Sequence, residues 1–481
     1  MLTLGLNLGE VTHTRLKGGG FFDGYVNPAI GSDSNPGTEA LPYATYAAAK
    51  AAGRTRIGLA RGQVYREQID MTGAPGLYVG AYGVGAPPLI LGSIRHTSGW
   101  TNVSGTVWEK DIGYTAVNCF ALAGLTVTKF ILGTFASLTA GQFGVSGNLI
   151  RVNSATDPNT LVIEIPVNGD FNAASGVRTN SAGQTVRDLR LWFWGSNGVE
   201  VPTGGNNFTA IDLDFSYNSN DGAGIRGTAA GVNFEGCTVK RNGQVRGATG
   251  AAPGDGISYH DTSTGRVSGC DIQDNEKEGI GNQPGTSVVM EFNFLRNNYW
   301  EIAVLGTAGS AKGEQDIRYN VIVWVPSGQG SGQAAVQVFS STNRPNVQVY
   351  NNTIFCEGAA GTGQGGLRVA GGDVVARNNI IRGFSRGIDY RSTDTNASLD
   401  ADYNNVSGNT TNYFNNGTPG VVAGANDNTS DPLFVNAAAR DFRLQSGSPC
   451  RGEGVNLNLP RDFAGNPVAN PPDIGAYQFA A

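Results

Sequence analysis

A short phrase recurs through the second half of this 481-residue chain. Each copy has a small or polar residue, usually a Gly, an aliphatic residue, and then a polar or aromatic residue. Successive copies lie roughly 20–30 residues apart, which is typical of a solenoid in which each copy forms one coil. The copies begin at Ala223, Asp255, Glu278, Glu301, Ala335, Gly366 and Gly387. The repeat therefore predicts a solenoid, and stacking its copies indicates which distant side chains are neighbours.

The composition narrows the fold class and the partners. The chain contains 71 Gly residues and only 15% charged residues, against roughly 25% charged in typical globular proteins. Abundant Gly and Asn favour a fold with many tight turns. The net charge of -6 gives no basic surface for nucleic acid, and no apolar run approaches the roughly 20 residues of a membrane span. We therefore expect an all-β protein with neither partner.

A second stacked phrase marks another strand of each coil. It begins with Cys237 and Cys270, and later with Asn320, Asn352 and Asn379. Asn at one turn position in successive coils predicts a ladder in which each amide bonds the next coil. The two Cys residues share that position, so we expect them to stack as buried thiols rather than to form a disulfide.

Both ends of the chain carry motifs of one superfamily. Residues 25–38 read YVNPAIGSDSNPGT and are followed by an Ala-rich segment that predicts a helix from Pro42 to about Ala52. Residues 431–435, 441–444, 447–450 and 472–477 form a matching closing segment. These motifs resemble the ends of right-handed parallel β-helix proteins of the pectate-lyase-like superfamily. The resemblance implies that fold, with an N-terminal cap helix.

The chain order suggests five parts. Residues 100–166 break the repeat and alternate like antiparallel strands, which predicts a small β insertion. The parts are a leader or attachment arm (1–20), the cap and first coils (21–99), the insertion (100–166), the regular β-helix (167–425) and the closing segment (426–481).

Aligning the coils on the aliphatic residue brings chemistry to two neighbouring coils. Asp255 and Glu278 then lie on adjacent rungs, with their carboxylates about 5–7 Å apart. Lys277 precedes Glu278, and Tyr259 and His260 follow on the other side of the strand beside Arg226. The copies around Val336 and Leu367 lack such residues. We therefore expect the active site on the rungs of Asp255 and Glu278.

Three reactions on a polysaccharide fit these side chains. The carboxylate pair could hydrolyse a glycosidic bond. Alternatively, Lys277, His260 or Tyr259 could remove the C5 proton of a uronic acid while Arg226 or a bound Ca²⁺ neutralises its carboxylate. That reaction is β-elimination by a lyase, or epimerisation if the proton returns on the other face. No dense Asp cluster with Ca²⁺-loop spacing is present, so the sequence assigns no metal ligands.

Neighbouring residues predict contacts to the substrate. Sugar rings could stack on Tyr299 and Trp300. A long loop before the candidate rung carries Arg241 and Arg246 and would line a cleft. Asp261 completes this expected binding set.

Three functions agree with this pattern. The first is a depolymerase, such as a phage tailspike, that binds a bacterial polysaccharide and cleaves it as a lyase or a glycoside hydrolase. Its leader (residues 1–20) would attach to the virion, and the resemblance to tailspikes implies a homotrimer. The second is a non-catalytic virion fibre or adhesin, and the third is a secreted bacterial lyase. All three place the protein outside the cell or on a virion surface.

Overall fold

The structure is a computed structural model that describes most of the chain. The described residues are 21–123, 126–167, 174–243, 254–283, 285–306, 312–326, 333–340, 344–392, 397–417 and 420–479. Residues 1–20, where we predict the attachment arm, lie outside these ranges.

Three parallel sheets run the length of the molecule. Each strand pairs with the strand one coil later, so non-consecutive strands are hydrogen-bonded neighbours. Sheet I contains Gly24–Val26, Arg56–Ala60, Tyr78–Tyr82, Thr185–Arg187, Thr209–Ile211, Val232–Glu235, Thr264–Ser268, Ser287–Glu291, Glu314–Arg318, Asn346–Tyr350, Asp373–Arg377 and Ser398–Asp402. Sheet II contains Ile69–Asp70, Val177–Arg178, Val199–Val201, Ala223–Ile225, Ile257–Tyr259, Glu278–Asn282, Trp300–Gly306, Ala334–Ser340, Gly365–Val369, Arg386–Tyr390 and Thr411–Asn415. Sheet III contains Val64–Tyr65, Leu89–Leu91 and Arg190–Trp192, then Thr238–Lys240, Asp271–Gln273, Phe294–Arg296, Val321–Trp324, Thr353–Cys356, Ile380–Arg382 and Asn405–Ser407, with bridges at Asp214 joining the two runs.

The aliphatic residue of the recurring phrase faces the interior. Ile257 pairs with Ile280, and Ile280 pairs with Ile302 in register. The same column continues through Val336 and Leu367, and all five side chains are fully buried. Because burial of one such side chain contributes about 1.5–3 kcal/mol, a continuous aliphatic column holds successive coils together. The predicted parallel β-helix is confirmed.

Two amide ladders satisfy the buried turns. In the predicted one, Asn320 donates to Asn352 and Asn352 to Asn379, both over 3.0 Å. A second ladder, which the sequence reading missed, runs through Asn218, Asn242, Asn275 and Asn298 and ends on the carboxylate of Glu301. Each amide donates to the next coil and accepts from the preceding one, so the turns contain few unpaired groups. Cys237 and Cys270 are buried free thiols, as predicted.

A short helix covers the first coil. It spans Tyr46–Ala51, and the side chain of its N-cap, Thr45, accepts a hydrogen bond from the backbone N–H of Ala48. The helix therefore begins four residues later than predicted from Pro42. The reason is that Tyr43 forms a bridge with Val26 in the first coil, so this part of the chain pairs with a strand instead of starting the helix. The cap helix itself is confirmed.

Antiparallel strands interrupt the early coils. One four-stranded sheet contains Thr126–Lys129, Phe120–Ala123, Val162–Pro166 and Ser93–His96, and a five-stranded sheet contains Ile131–Leu132, Gln142–Ser146, Leu149–Asn153, Val107–Asp111 and Thr101–Ser104. A short 3₁₀ helix, Pro158–Thr160, precedes strand Val162–Pro166. Phe120 packs with Trp192 and Phe193 of the coils, so the insertion is fixed to the β-helix by an apolar contact.

The last segment covers the outside of sheet III. Strands Phe434–Asn436 and Asp441–Leu444 pair antiparallel around the 3₁₀ helix Ala437–Ala439. Phe434, Phe442 and Ile474 form an apolar cluster with Phe294 and Val321 of the coils. Sheet III is therefore covered on its outer face along the later coils.

The outer face of sheet I carries paired charges. Arg318 lies 2.7 Å from Glu291 and 3.3 Å from Asp316, and Arg266 also pairs with Glu291. None of the helices in the described ranges is long and apolar enough to cross a membrane. Sheet III is covered on its outer face and the charges on sheet I pair with one another. We therefore consider the polar side chains on the outer face of sheet II as a candidate site.

Candidate active site

Three carboxylates lie on consecutive rungs of sheet II. Because Ile257 pairs with Ile280, Asp255 lies beside Glu278. Ala223 pairs with Ile257, so Asp221, two residues before Ala223, lies beside Asp255. We call Asp221, Asp255 and Glu278 the carboxylate column. The sequence alignment had matched Ile225 to Ile257, which is wrong by two residues and hid Asp221.

A glycine follows each member of this column. A Cβ atom on Gly222 would lie 2.5 Å from the carbonyl oxygen of Gly256, and one on Gly256 would lie 2.4 Å from that of Gly279. Both distances are shorter than a carbon–oxygen contact allows, so any larger residue would push the coils apart. The glycines thus permit the close approach of backbones that brings the three carboxylates together.

Asp255 and Glu278 act as one pair around a lysine. The backbone N–H of Glu278 donates to Asp255 Oδ1 over 3.2 Å, and Lys277 Nζ lies 2.9 Å from Glu278 Oε2 and 3.5 Å from Asp255 Oδ1. Burial, and then the carboxylate of Glu278, raise the pKa of Asp255 well above its usual range. Burial lowers the pKa of Lys277, but Asp255 and Glu278 outweigh that effect and raise it. The pair therefore places a carboxyl group with a raised pKa beside an ammonium group.

Asp221 and Glu200 share an arginine on the preceding coils. Arg226 Nε donates to Glu200 Oε1 over 3.2 Å, and its guanidinium lies 3.7 Å from Asp221 Oδ2. Asn197 donates to the other oxygen of Glu200 over 2.7 Å. Burial raises the pKa of Glu200 to about 7, although Arg226 and Asn197 oppose that rise. The cluster thus contains four carboxyl groups and two cations.

A chain of hydrogen bonds fixes the state of His260. The backbone N–H of Asp261 donates to Gln283 Oε1 over 2.6 Å, so Gln283 Nε2 faces His260 Nδ1 at 3.2 Å and donates to it. Nδ1 is then an acceptor, and Nε2 carries the proton towards Ser258 Oγ at 3.0 Å. Ser258 in turn donates to Asp221 Oδ2 over 3.0 Å. Burial and Arg226 lower the pKa of His260, which agrees with a neutral imidazole whose two nitrogens are both engaged.

Tyr259 is not part of this surface. Its side chain is fully buried, and its hydroxyl donates to the carbonyl oxygen of Val232 over 2.7 Å across the interior. Side chains alternate between the two faces of a strand, so Tyr259 shares the interior face with Ile257. Its prediction as a catalytic residue is corrected for this reason.

Two predicted binding residues, Asp261 and Arg241, contact other parts of the coils instead. Asp261 has a φ of 59°, and its carboxylate accepts from the backbone N–H of Gly227 over 2.8 Å. Arg241 donates to the hydroxyl of Tyr217 over 2.6 Å and lies 3.7 Å from Asp274. Neither partner of Arg241 belongs to the carboxylate cluster. Arg246 lies outside the described residues.

Two aromatic residues continue the column beyond Glu278. Trp300 pairs directly with Glu278 on the next rung. The rings of Tyr299 and Trp300 lie 4.6 Å apart at 60°, and the hydroxyl of Tyr299 accepts from Gln333 over 2.9 Å. Both side chains are half-buried, so an aromatic surface adjoins the acidic one.

The β insertion contacts the edge of the site. Lys129 donates to the carbonyl oxygen of Gly243 over 2.6 Å and lies 3.5 Å from Glu276. Glu276 immediately precedes Lys277, so the insertion is anchored next to the residue that bridges the carboxylate pair.

The cluster does not have the arrangement of a metal site. Across the described part of the chain, no group of three or more His, Cys, Asp or Glu residues could hold a metal ion. Lys277 and Arg226 instead occupy the positions beside the carboxylates where a cation would lie.

The later coils are not bare, contrary to the sequence reading. Arg368 follows Leu367 and forms a buried ion pair of 2.7 Å with Asp389 on the next coil. Arg386 and Arg391 also contact Asp389, at 3.5 and 2.8 Å. Sheet II therefore carries a second polar cluster beyond the aromatic pair.

Comparison with known proteins agrees with this architecture. Residues 175–354 match the family model described as right handed beta helix region. A search of curated proteins found no match.

Two solved structures resemble most of the chain. Pectate lyase Pel9A is 18% identical, with a TM-score of 0.53, and the match covers 95% of this chain and 96% of that one. XylC, solved in complex with xylose, is 13% identical, with a TM-score of 0.50 over 79% of this chain and 71% of that one. Identities this low carry information on fold alone. The chain has a right-handed parallel β-helix fold, which it shares with pectate lyase Pel9A.

Proposed function

We propose that this protein binds a bacterial polysaccharide along the outer face of sheet II and hydrolyses its glycosidic bonds. The observation that supports this most is the carboxylate column itself, in which buried Asp255 lies between Asp221 and Glu278 on consecutive rungs. Burial and Glu278 raise the pKa of Asp255, and a carboxyl group with a raised pKa is the group that hydrolysis requires as its general acid. The other members of the carboxylate column supply the negative charge that the reaction also needs.

The roles follow from the contacts. As the glycosidic C–O bond breaks, Asp255 gives its proton to the leaving oxygen. Asp221, one rung away and held by Ser258, faces the positive charge that develops at the anomeric carbon. Water then adds its hydroxyl group to that carbon, and its remaining proton restores Asp255. Glu278 and Lys277 act as positioning residues, because Glu278 raises the pKa of Asp255 and Lys277 contacts both carboxyl groups.

The bases considered for β-elimination fit less well. The pKa of Lys277 is raised, so it stays protonated and cannot remove a C5 proton. Tyr259 is in the interior, and both nitrogens of His260 are engaged by Gln283 and Ser258. Hydrolysis is therefore the better supported of the two cleavage reactions.

The test is incubation with a panel of capsular and exopolysaccharides. We expect new reducing ends without the ultraviolet absorbance of unsaturated uronates. Asp255→Asn and Asp221→Asn should each lower kcat by about 10²–10⁴-fold, the usual contribution of a general acid or base. Asp316→Asn, on the outer face of sheet I, is the matched control and should retain full activity.

Three results would count against this assignment. Unsaturated uronate products would overturn hydrolysis in favour of elimination. Cleavage that survives both Asn substitutions would move the reaction to another site. Glycan binding without cleavage by the wild-type protein would support the alternative of a non-catalytic fibre or adhesin.

The phage-tailspike form of this proposal adds two expectations. A homotrimer would have three times the 50.1 kDa of one chain, which light scattering after size exclusion measures directly. Deletion of residues 1–20 should abolish attachment to the virion and leave glycan cleavage intact. A monomer that cleaves glycan would instead support a secreted enzyme.

A further inference from the structure

We propose that Arg386 and Arg391, held by Arg368, Asp389 and Phe414, form a subsite for an anionic substituent of the glycan. We call these five residues the arginine subsite. The inference rests on the proposed glycan binding along sheet II and adds the chemical class of group that this part of the face recognises.

The subsite has more positive than negative charge. Asp389 is fully buried and lies 2.7 Å from Arg368, 2.8 Å from Arg391 and 3.5 Å from Arg386. Arg368 makes two hydrogen bonds to Asp389 Oδ2, of 2.9 and 2.7 Å, and Arg391 Nε donates to both oxygens of Asp389 over 2.8 and 3.0 Å. The four charged members of the subsite, which are its three arginines and Asp389, together carry three positive charges and one negative charge. Two guanidinium groups thus exceed what one buried carboxylate needs.

The two extra guanidinium groups are both fixed and accessible. The guanidinium carbon of Arg386 lies 3.4 Å from the centre of the Phe414 ring, and that of Arg391 lies 6.0 Å from it. Stacking on an aromatic face leaves the N–H edges of a guanidinium free to bind in its plane. Arg386 retains 21% and Arg391 retains 30% of its side-chain exposure. A planar or tetrahedral oxyanion can therefore approach both groups, as carboxylate, sulfate and phosphate substituents do.

The register places this subsite in line with the carboxylate column. Glu278 pairs with Trp300, which lies opposite Ala334; Ala334 pairs with Gly365, and Gly365 pairs with Arg386. Arg386 is thus four rungs from Glu278, or about 19 Å at about 4.8 Å per rung. One sugar unit of a glycan has a length similar to one rung. A chain that passes the proposed catalytic pair would therefore present a sugar several units away to the arginines.

The experiment uses short glycans on the full-length Asp255→Asn protein, so that no cleavage interferes. A trisaccharide is shorter than four rungs, so its binding at the arginines is independent of the carboxylate column. We would titrate trigalacturonate and a sulfated trisaccharide against neutral maltotriose by calorimetry. We expect at least tenfold tighter binding of one or both charged probes, with affinity falling as salt rises.

Variants then locate the binding. Arg386→Gln with Arg391→Gln leaves the Arg368–Asp389 pair intact, so the fold is retained, and it should lower affinity at least tenfold. Arg377→Gln, on sheet I, is the matched control and should change nothing. Arg386→Lys keeps the positive charge but loses the planar guanidinium group that stacks on Phe414, so it should lower affinity less than the double substitution.

The outcomes separate this inference from the proposed hydrolysis. Equal binding of charged and neutral probes, or unchanged affinity in the double variant, would overturn the arginine subsite even if the wild-type protein cleaves glycan. Charged probes that bind through the arginines, without cleavage of any polysaccharide by the wild-type protein, would uphold the subsite and overturn hydrolysis. The relative affinity of the two charged probes distinguishes a carboxylate from a sulfate ligand.

Discussion

Glu200 provides a test of the site's electrostatics that does not require the substrate. Its residue exposure is 2%, and its carboxyl group accepts hydrogen bonds from Arg226 and Asn197. Burial raises its pKa from 4.5 to about 7. Because the unfolded chain has no such environment, the protonation of Glu200 is linked to folding.

The sign of the effect follows from the raised pKa. The folded protein binds this proton more tightly than the unfolded chain, so the contribution of Glu200 to stability is largest below about pH 4.5. This contribution is lost as the pH rises to about 7, and stability does not change further from this source at higher pH. A pKa difference of about 2.5 corresponds to roughly 3 kcal/mol at 1.36 kcal/mol per pH unit. Glu200→Gln removes the titrating proton, so the stability of the wild type relative to this variant should fall by that amount across the window.

Urea unfolding followed by tryptophan fluorescence, from about pH 4 to pH 8, measures this difference. Glu357→Gln is the control, since Arg440 and Arg296 lower the pKa of Glu357 to about 2. Its difference from wild type should be flat above about pH 5. A flat difference for Glu200→Gln, or one that rises with pH, would refute the claim that burial outweighs Arg226 at this position.

Three further predictions use the same unfolding assay. Gly256→Ala should destabilise the protein by about 1–3 kcal/mol, because the new Cβ would lie 2.4 Å from the carbonyl oxygen of Gly279. Gly365→Ala, whose Cβ would meet its nearest atom at 3.5 Å, should cost under about 0.5 kcal/mol, and equal losses would contradict the close-approach argument. Asn320→Ala should cost at least about 2 kcal/mol because it leaves buried groups of the ladder unpaired. Tyr259→Phe should cost about 1 kcal/mol and leave kcat for glycan cleavage unchanged, whereas a large fall in kcat with unchanged stability would return Tyr259 to the site.

The fold could be predicted from the sequence because each coil repeats its own signal. The small-aliphatic phrase recurs wherever a buried aliphatic residue stacks on the previous one, and Asn320 to Asn379 recur wherever an amide bonds the next coil. Both signals arise from contacts between equivalent positions. Both signals therefore remain detectable as repeats even when the loops between the copies differ in length.

The site was harder because its register depends on one loop. Between Ala223 and Ile257 the coil is lengthened, and matching the nearest Gly-Ile phrases shifted the alignment by two residues. The pairs Asp221-Gly222, Asp255-Gly256 and Glu278-Gly279 carried the correct register. A search for an acidic residue before a glycine would therefore have found Asp221.

The other parts of the site differ in how well they could have been predicted from the sequence. Tyr259 follows Ile257 by two residues, so strand alternation already predicts that it faces the interior. Arg368 and Asp389 each follow the aliphatic residue of their coil, and this equal offset predicts a pair across one rung. The stacking of Arg386 on Phe414 depends instead on side-chain rotamers, which no spacing in the sequence reports.

The glycine in each repeat explains why the pKa of Asp255 is raised. Without a Cβ, Gly222, Gly256 and Gly279 let successive coils meet at the turn, and the residue before each glycine must then lie one rung from its equivalent. When those residues are carboxylates, charge repulsion and burial both favour the protonated form of one of them. Burial and Glu278 accordingly raise the pKa of Asp255, and Lys277, in contact with both carboxyl groups, offsets part of that rise. The backbone feature that allows the coils to stack thus also determines which side chain can act as an acid.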